Sequence, residues 1–162
     1  MELKDKKVVV VGFGRTGQAV CDFLLSQGAN ITVSDKKSEA ELERVEKYRA
    51  KGVNFETGAN RLETLLAAEL VVLSPGVPPL PEILTAREKG IKVISEIELA
   101  YPYLRGKLIG ITGTNGKSTT TTLIYLMLKK AGFKVHLTGN IGQPLVSFIP
   151  KVKPGQLVVT EL

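Results

Sequence analysis

Lys7-Val8-Val9-Val10-Val11-Gly12-Phe13-Gly14-Arg15-Thr16-Gly17 is the stretch that sets the fold. The valine run predicts a buried β-strand. Gly12, Gly14 and Gly17 fit G-x-G-x-x-G, and the motif stands where it carries meaning, after a strand and before a helix. From Thr16 to Gln27 the apolar residues Val20, Phe23 and Leu24 fall at i, i+3 and i+4, one face of a helix that Gly28 ends. In such a turn Gly12 permits the tight bend, Gly14 lets a phosphate approach the backbone, and Gly17 lets the helix pack close to the sheet. The helix N-terminus then presents free N–H groups and its positive dipole end to an anion. Asp35 closes the next strand, Ile31-Thr32-Val33, where an acidic side chain accepts from a ribose hydroxyl. The motif alone leaves NAD and other nucleotide diphosphates equally open. Lys36 and Lys37 read as exposed turn lysines.

Outward from this unit the alternation continues. Ser38 to Lys51 reads as a helix with Leu42, Val45 and Tyr48 on one face, Val53 to Glu56 as a short strand, and Leu62 to Ala68 as a helix. Leu70 to Leu73 is a strand followed by the turn Ser74-Pro75-Gly76-Val77-Pro78-Pro79. A helix runs from Pro81 to Gly90, and Lys92 to Ser95 is a further strand. Strands separated by helices predict a parallel sheet with helices on both faces. Tyr101 to Gly106 breaks the rhythm and marks a boundary between a first domain, 1–100, and a second, 101–162. The second domain starts with a strand at Lys107 to Thr112, a turn at Gly113 to Gly116, and a helix at Ser118 to Ala131 with Leu123, Ile124, Met127 and Leu128 as its apolar face. Strands follow at Lys134 to Thr138 and from Gln156. The fold class is therefore α/β: a Rossmann-like parallel-sheet domain followed by the beginning of a P-loop ATPase-like α/β domain, expected to be incomplete.

The second glycine-rich loop carries more chemical information. Ile109-Gly110-Ile111-Thr112-Gly113-Thr114-Asn115-Gly116-Lys117-Ser118-Thr119 has the strand, loop, Lys-Ser pair and helix of a P-loop. Backbone N–H groups would cradle phosphates, Lys117 would reach the β/γ-phosphates, and the Ser118 hydroxyl would sit on Mg²⁺. The spacing departs from G-x-x-x-x-G-K-S, because position 111 is Ile.

Bulk properties exclude several classes. A 43% hydrophobic, 23% charged chain is ordinary for a folded α/β protein. No apolar run approaches the roughly 20 residues of a membrane span, and no secretion signal is expected. Cys21 has no cysteine to pair with, which fits a reducing cytoplasm, and reads as a buried inert thiol. The net charge of +6 suits an anionic small molecule. Nucleic-acid binding is not expected, since no aromatic-basic motif, zinc-finger spacing or basic helix is present. His136, the sole histidine, reads as structural.

Gly113-Thr114-Asn115-Gly116-Lys117-Ser118-Thr119 resembles the ATP-binding signature of the Mur ligases and of their relative folylpolyglutamate synthase. The latter begins near this loop and lacks a preceding domain. Within the Mur ligases, the first loop after a Val-rich strand is similar to that of the D-glutamate-adding branch. The L-alanine-adding branch usually has His at the position of Asn115. The branches adding later residues usually have Thr at Ser118 and a different first domain. Ser74-Pro75-Gly76 and Gly139-Asn140-Ile141-Gly142 also match the D-glutamate branch.

The resemblance implies an ATP- and Mg²⁺-dependent ligase acting on UDP-N-acetylmuramoyl-L-alanine and D-glutamate through an acyl phosphate. By the same resemblance Gly14, Arg15, Thr16 and Gly17 hold the UDP diphosphate, Asp35 and Lys36 face the uridine, and Gly76 lines that pocket. Gly113, Thr114, Asn115, Gly116, Lys117, Ser118 and Thr119 form the ATP site, Lys117 is the catalytic cation, Asn140 touches the UDP-substrate's phosphate, and Glu161 joins Ser118 on the metal. The family also needs a modified lysine, a histidine metal ligand and an amino-acid-binding domain, which these motifs do not supply, so the chain alone is expected to bind ligands without completing the reaction. Two other readings are an NAD(P)-dependent oxidoreductase, from the first loop and Asp35, and a non-catalytic nucleotide-binding fragment.

Overall fold

The computed structural model describes residues 2–162, which form two compact units, one ending at Leu99 and the other Ala100–Leu162. The first unit contains β1 (Lys7–Val11), β2 (Asn30–Asp35), β3 (Asn54–Thr57), β4 (Leu70–Leu73) and β5 (Lys92–Ser95). They make one sheet in the order β3-β2-β1-β4-β5, every neighbouring pair parallel. Its helices are α1 (Arg15–Ser26), α2 (Val45–Arg49), α3 (Leu62–Leu66), α4 (Pro81–Glu88) and α5 (Glu96–Ala100).

The valine run explains the centre of this sheet. Successive side chains of β1 point to opposite faces. Val9 and Val11 pack with Leu65, Ala68, Val71, Ile83 and Ala86 beneath α3 and α4. Val8 and Val10 turn to the other face, where α1 lies against β1 and β2. All four valines are at most 4% exposed. A central parallel strand covered on both sides reads as an unbroken apolar run. The strand order reverses between β1 and β4, so the crevice for a ligand opens at the carboxyl ends of those strands.

The helix expected over Ser38 to Lys51 is not continuous. A 3₁₀ turn covers Glu39–Glu41, Leu42 is extended, Arg44 is left-handed with φ 65°, and α2 begins only at Val45. Ser38 and Glu41 form a reciprocal capping box, with the Ser38 hydroxyl and N–H both donating to Glu41 Oε2. The pair completes one turn on its own, and the reversal at Arg44 resets the phase so that Val45 and Tyr48 face the core. A helix at α5, not expected from the sequence, follows β5 directly. Tyr101, which opens the boundary stretch, is 62% exposed.

The second unit contains β6 (Lys107–Ile111), α6 (Lys117–Lys130), β7 (Val135–Gly139) and β8 (Leu157–Glu161), with parallel sheet order β6-β8-β7. A 3₁₀ turn at Leu145–Phe148 buries Leu145 and Val146. The apolar face expected for α6 is only partly correct. Thr121 is buried and Ile124, Tyr125 and Leu128 are half-buried. Leu123 and Met127 are exposed, at 56% and 62%, together with Leu126 at 53%. The helix is apolar on two sides, and the stripe through Thr121, Ile124 and Leu128 is the covered one.

Candidate functional site

The first loop begins at the end of β1. Gly12 has φ +88°, a conformation that glycine adopts at no steric cost. A Cβ on Gly17 would lie 2.0 Å from the Gly12 carbonyl oxygen, so α1 approaches the loop as closely as backbones allow. Gly14, the N-cap of α1, has open space where a Cβ would stand. No side chain caps α1 and no acid stands in its first turn, so its leading N–H groups face outward unpaired by side chains. Gly14 and Arg15 are exposed, Thr16 is half-buried and Gly17 is buried. Lys36 and Lys37 are exposed at the end of β2, and Gly76 is exposed just beyond β4. The fold thus gathers Gly14, Arg15, Thr16, Gly17, Asp35, Lys36 and Gly76 at neighbouring strand ends of one sheet.

Asp35 is 8% exposed, and both its oxygens are engaged by backbone. Oδ2 accepts from the Phe13 N–H at 2.7 Å, and Oδ1 from the Lys37 N–H at 2.9 Å. The carboxylate that the sequence offers to a ribose hydroxyl thus already accepts from two backbone N–H groups of its own chain. The Ser74 hydroxyl donates to the Gly12 carbonyl at 2.9 Å. Sequence reading found Ser74 only as part of Ser-Pro-Gly, since no local signal links it to a residue 62 positions away.

The second loop is assembled differently. Gly113 has φ +148° and Gly116, the N-cap of α6, has φ +75°. Residues 112–116 are exposed, as are Ser118 and Thr119. The Lys117 ammonium folds back and donates to the Gly113 carbonyl at 2.7 Å. The Ser118 hydroxyl donates to Glu161 Oε2 at 2.8 Å, joining residues 43 apart. Glu161 is 6% exposed at the end of β8, in register with Ile111 and Gly139. Asn140 belongs to this unit, exposed, its N–H directed at the Glu161 carbonyl at 3.4 Å.

A hydroxyl and a carboxylate in contact at the start of a P-loop helix form a hard-oxygen pair suited to Mg²⁺, which takes one or two protein ligands and completes its shell with water and phosphate. Groups of three or more His, Cys, Asp or Glu able to hold a metal are absent among the described residues, and this chemistry does not need one.

Other titratable groups are structural. Burial, then the neighbouring Asp22, pushes the Cys21 thiol up to about 12, which leaves it protonated and unreactive at neutral pH. His136 pairs with the Gln156 side chain at 3.0 Å and tilts against Phe148. Among the described residues no helix is long and apolar enough to cross a membrane.

Residues 6–95, more than half of the chain, match the family model described as Mur ligase MurD-like, N-terminal domain. The chain belongs to the Mur ligase family. Residues 111–155 match a second family model, the Mur ligase middle domain. Over 164 residues the chain is 45% identical to the UDP-N-acetylmuramoylalanine--D-glutamate ligase of Desulfatibacillum aliphaticivorans, covering 100% of this chain and 36% of that protein. It is 47% identical over 150 residues to the ligase of the same name from Koribacter versatilis, covering 91% of this chain and 33% of that protein. Among solved structures, a pseudomurein peptide ligase type C from Methanothermus fervidus superimposes with a TM-score of 0.56 at 28% identity, over 97% of this chain and 33% of that one. This Mur ligase chain spans about a third of the length of these relatives.

Proposed function

We propose that this chain supplies the UDP-substrate-binding unit and the start of the ATP-binding unit of a cytoplasmic ligase that joins D-glutamate to UDP-N-acetylmuramoyl-L-alanine in peptidoglycan synthesis. The observation that carries the reading is the presence of two phosphate-type loops in one chain, each at the carboxyl end of a parallel strand and each opening a helix whose N-terminus no side chain caps. A nicotinamide-dependent dehydrogenase has a task for the first loop and none for Lys117 or Ser118.

In this reading Gly14, Arg15, Thr16 and Gly17 receive the UDP diphosphate, with Asp35, Lys36 and Gly76 bordering the uridine and Asn140 on the substrate's phosphate. Gly113, Thr114, Asn115, Gly116, Lys117, Ser118 and Thr119 receive ATP. Transfer of the γ-phosphoryl group to the substrate carboxylate gives an acyl phosphate and ADP. The amine of D-glutamate then attacks the acyl carbon, forming the amide and releasing phosphate. Lys117 exchanges the Gly113 carbonyl for phosphate oxygens and neutralises charge as the phosphoryl group moves. Ser118 and Glu161 would hold Mg²⁺, whose charge screens the phosphate oxygens.

Titration of the chain with UDP and with NADH tests the reading. UDP is expected to bind, and Gly14→Val to weaken it at least about a hundredfold by filling the space a phosphate needs, while the variant still folds because that Cβ meets nothing. Micromolar NADH binding without UDP binding would sink the proposal, as would unchanged UDP affinity in folded Gly14→Val.

A further inference from the structure

Gly12–Phe13 is one peptide unit, and both of its polar ends are held by side chains. Its carbonyl accepts from the Ser74 hydroxyl at 2.9 Å, and its N–H donates to Asp35 Oδ2 at 2.7 Å. Ser74 follows β4 and Asp35 ends β2, the two strands that flank β1, so the grip comes from opposite sides. The preceding peptide unit, Val11–Gly12, is already fixed: the Gly12 N–H donates to the Ser34 carbonyl at 2.9 Å and the Ser74 N–H to the Val11 carbonyl at 3.0 Å. The Phe13 ring is 2% exposed and stands edge-on to Tyr48 and Phe55, at 5.2 and 4.9 Å between ring centres.

We propose that Ser74 and Asp35 form a two-sided clamp on the Gly12–Phe13 peptide and are positioning residues for the phosphate loop, Asp35 acting on the loop rather than reading the ribose. The inference rests on the reading of this loop as a diphosphate site. Turning this peptide plane over changes ψ of Gly12 and φ of Phe13; glycine tolerates its share of that rotation, so the clamp acts together with the φ preference of Phe13 to hold one orientation. The flipped plane would set the Gly12 carbonyl oxygen against the buried Asp35 carboxylate and leave its Oδ2 without a donor. The clamp therefore selects one orientation before any ligand arrives, and the N–H groups from Gly14 onward are aimed in advance.

Two measurements on the full 162-residue chain test this, one without ligand. In Ser74→Ala and Asp35→Ala, exchange of the Phe13 amide hydrogen is expected to accelerate about tenfold or more, with the Val10 amide inside β1 unchanged, and Ser74→Thr is expected to restore slow exchange. Affinity for UDP and for inorganic pyrophosphate should fall together, by about tenfold in Ser74→Ala. The penalty for 2′-deoxy-UDP relative to UDP should be the same in Asp35→Ala as in the wild type. Unchanged Phe13 exchange in folded Ser74→Ala would overturn the clamp. Disappearance of the deoxy penalty in Asp35→Ala would overturn the positioning role, because it would mean that Asp35 reads the ribose. If Asp35→Ala fails to fold, Ser74→Ala with its threonine rescue decides the question. A wild-type chain that binds neither UDP nor pyrophosphate, while Phe13 exchange responds as expected, would uphold the clamp and sink the diphosphate reading instead.

Discussion

The two glycine-rich loops share a design and differ in what holds them. The first is gripped from outside, by Ser74 and Asp35 at the ends of neighbouring strands, above a sheet whose central valines are at most 4% exposed. The second is held largely by the groups proposed to bind its ligand: Lys117 on the Gly113 carbonyl, Ser118 on Glu161. A loop fixed by residues that need not touch the ligand receives it without rearrangement. A loop whose cation and hydroxyl are each engaged within the protein must exchange those internal contacts for ligand contacts, and part of the binding energy goes to that exchange. The units around them differ in the same sense. Helices cover both faces of the first sheet, whereas α6 leaves Leu123, Leu126 and Met127 more than half exposed.

The largest effect expected from this contrast is at Gly17. Its Cβ would fall 2.0 Å from the Gly12 carbonyl oxygen, backbone against backbone, with Ser74 Oγ a further 3.3 Å contact. Gly17→Ala is predicted to destabilise the first unit by on the order of 4 kcal/mol, since neither element can retreat without disturbing the clamp. Urea unfolding measures it. A loss under about 1 kcal/mol would show that this loop is as pliable as the second, and the contrast would fail.

Lys117→Ala tests the other side. In the full-length ligase proposed above, it is predicted to cut amide formation and phosphate release by at least a hundredfold, on the order of 3 kcal/mol, because the cation is needed most as charge shifts on the γ-phosphoryl group. Binding of UDP-N-acetylmuramoyl-L-alanine should stay within about threefold, since that pocket is assigned to the first loop. Turnover within about threefold of the parent would remove ATP from this loop.

The smallest effect sharpens the comparison of cores. Leu126→Ala in the 162-residue chain is predicted to change stability by less than about 0.5 kcal/mol, because a half-exposed side chain gives up little buried area, against about 2–5 kcal/mol for the same truncation at a fully buried leucine. A cost of 2 kcal/mol or more would mean that the outward face of α6 is covered in solution.

Much of this was legible in one dimension because the signals are local. Val8 to Val11 announce a central strand by composition alone, and Gly12, Gly14 and Gly17 lie within six residues of one another, so their spacing states the turn. Gly113 to Ser118 declare a phosphate loop in the same way. Errors arose where a pattern had two solutions. Leu42, Val45 and Tyr48 fit one helical stripe, yet the turn that Ser38 and Glu41 cap stops at Leu42, which is extended, and the helix restarts after Arg44. Leu123 and Met127 fit an apolar face, but a helix apolar on two sides does not say which side its sheet will cover.

The sequence by itself determined the strand–helix alternation and the two glycine-rich loops, because periodicity and backbone freedom are properties of neighbouring residues. Only the tertiary structure decided the partners. Asp35 turns inward to Phe13 and Lys37, Ser74 crosses 62 positions to reach Gly12, and Glu161 crosses 43 to reach Ser118. Each of these contacts joins the ends of parallel strands or the loops and helix starts that follow them, and which ends meet depends on the order of strands in the sheet. That order is fixed by how the helices pack across both faces, a property of the whole unit that no single stretch of sequence contains.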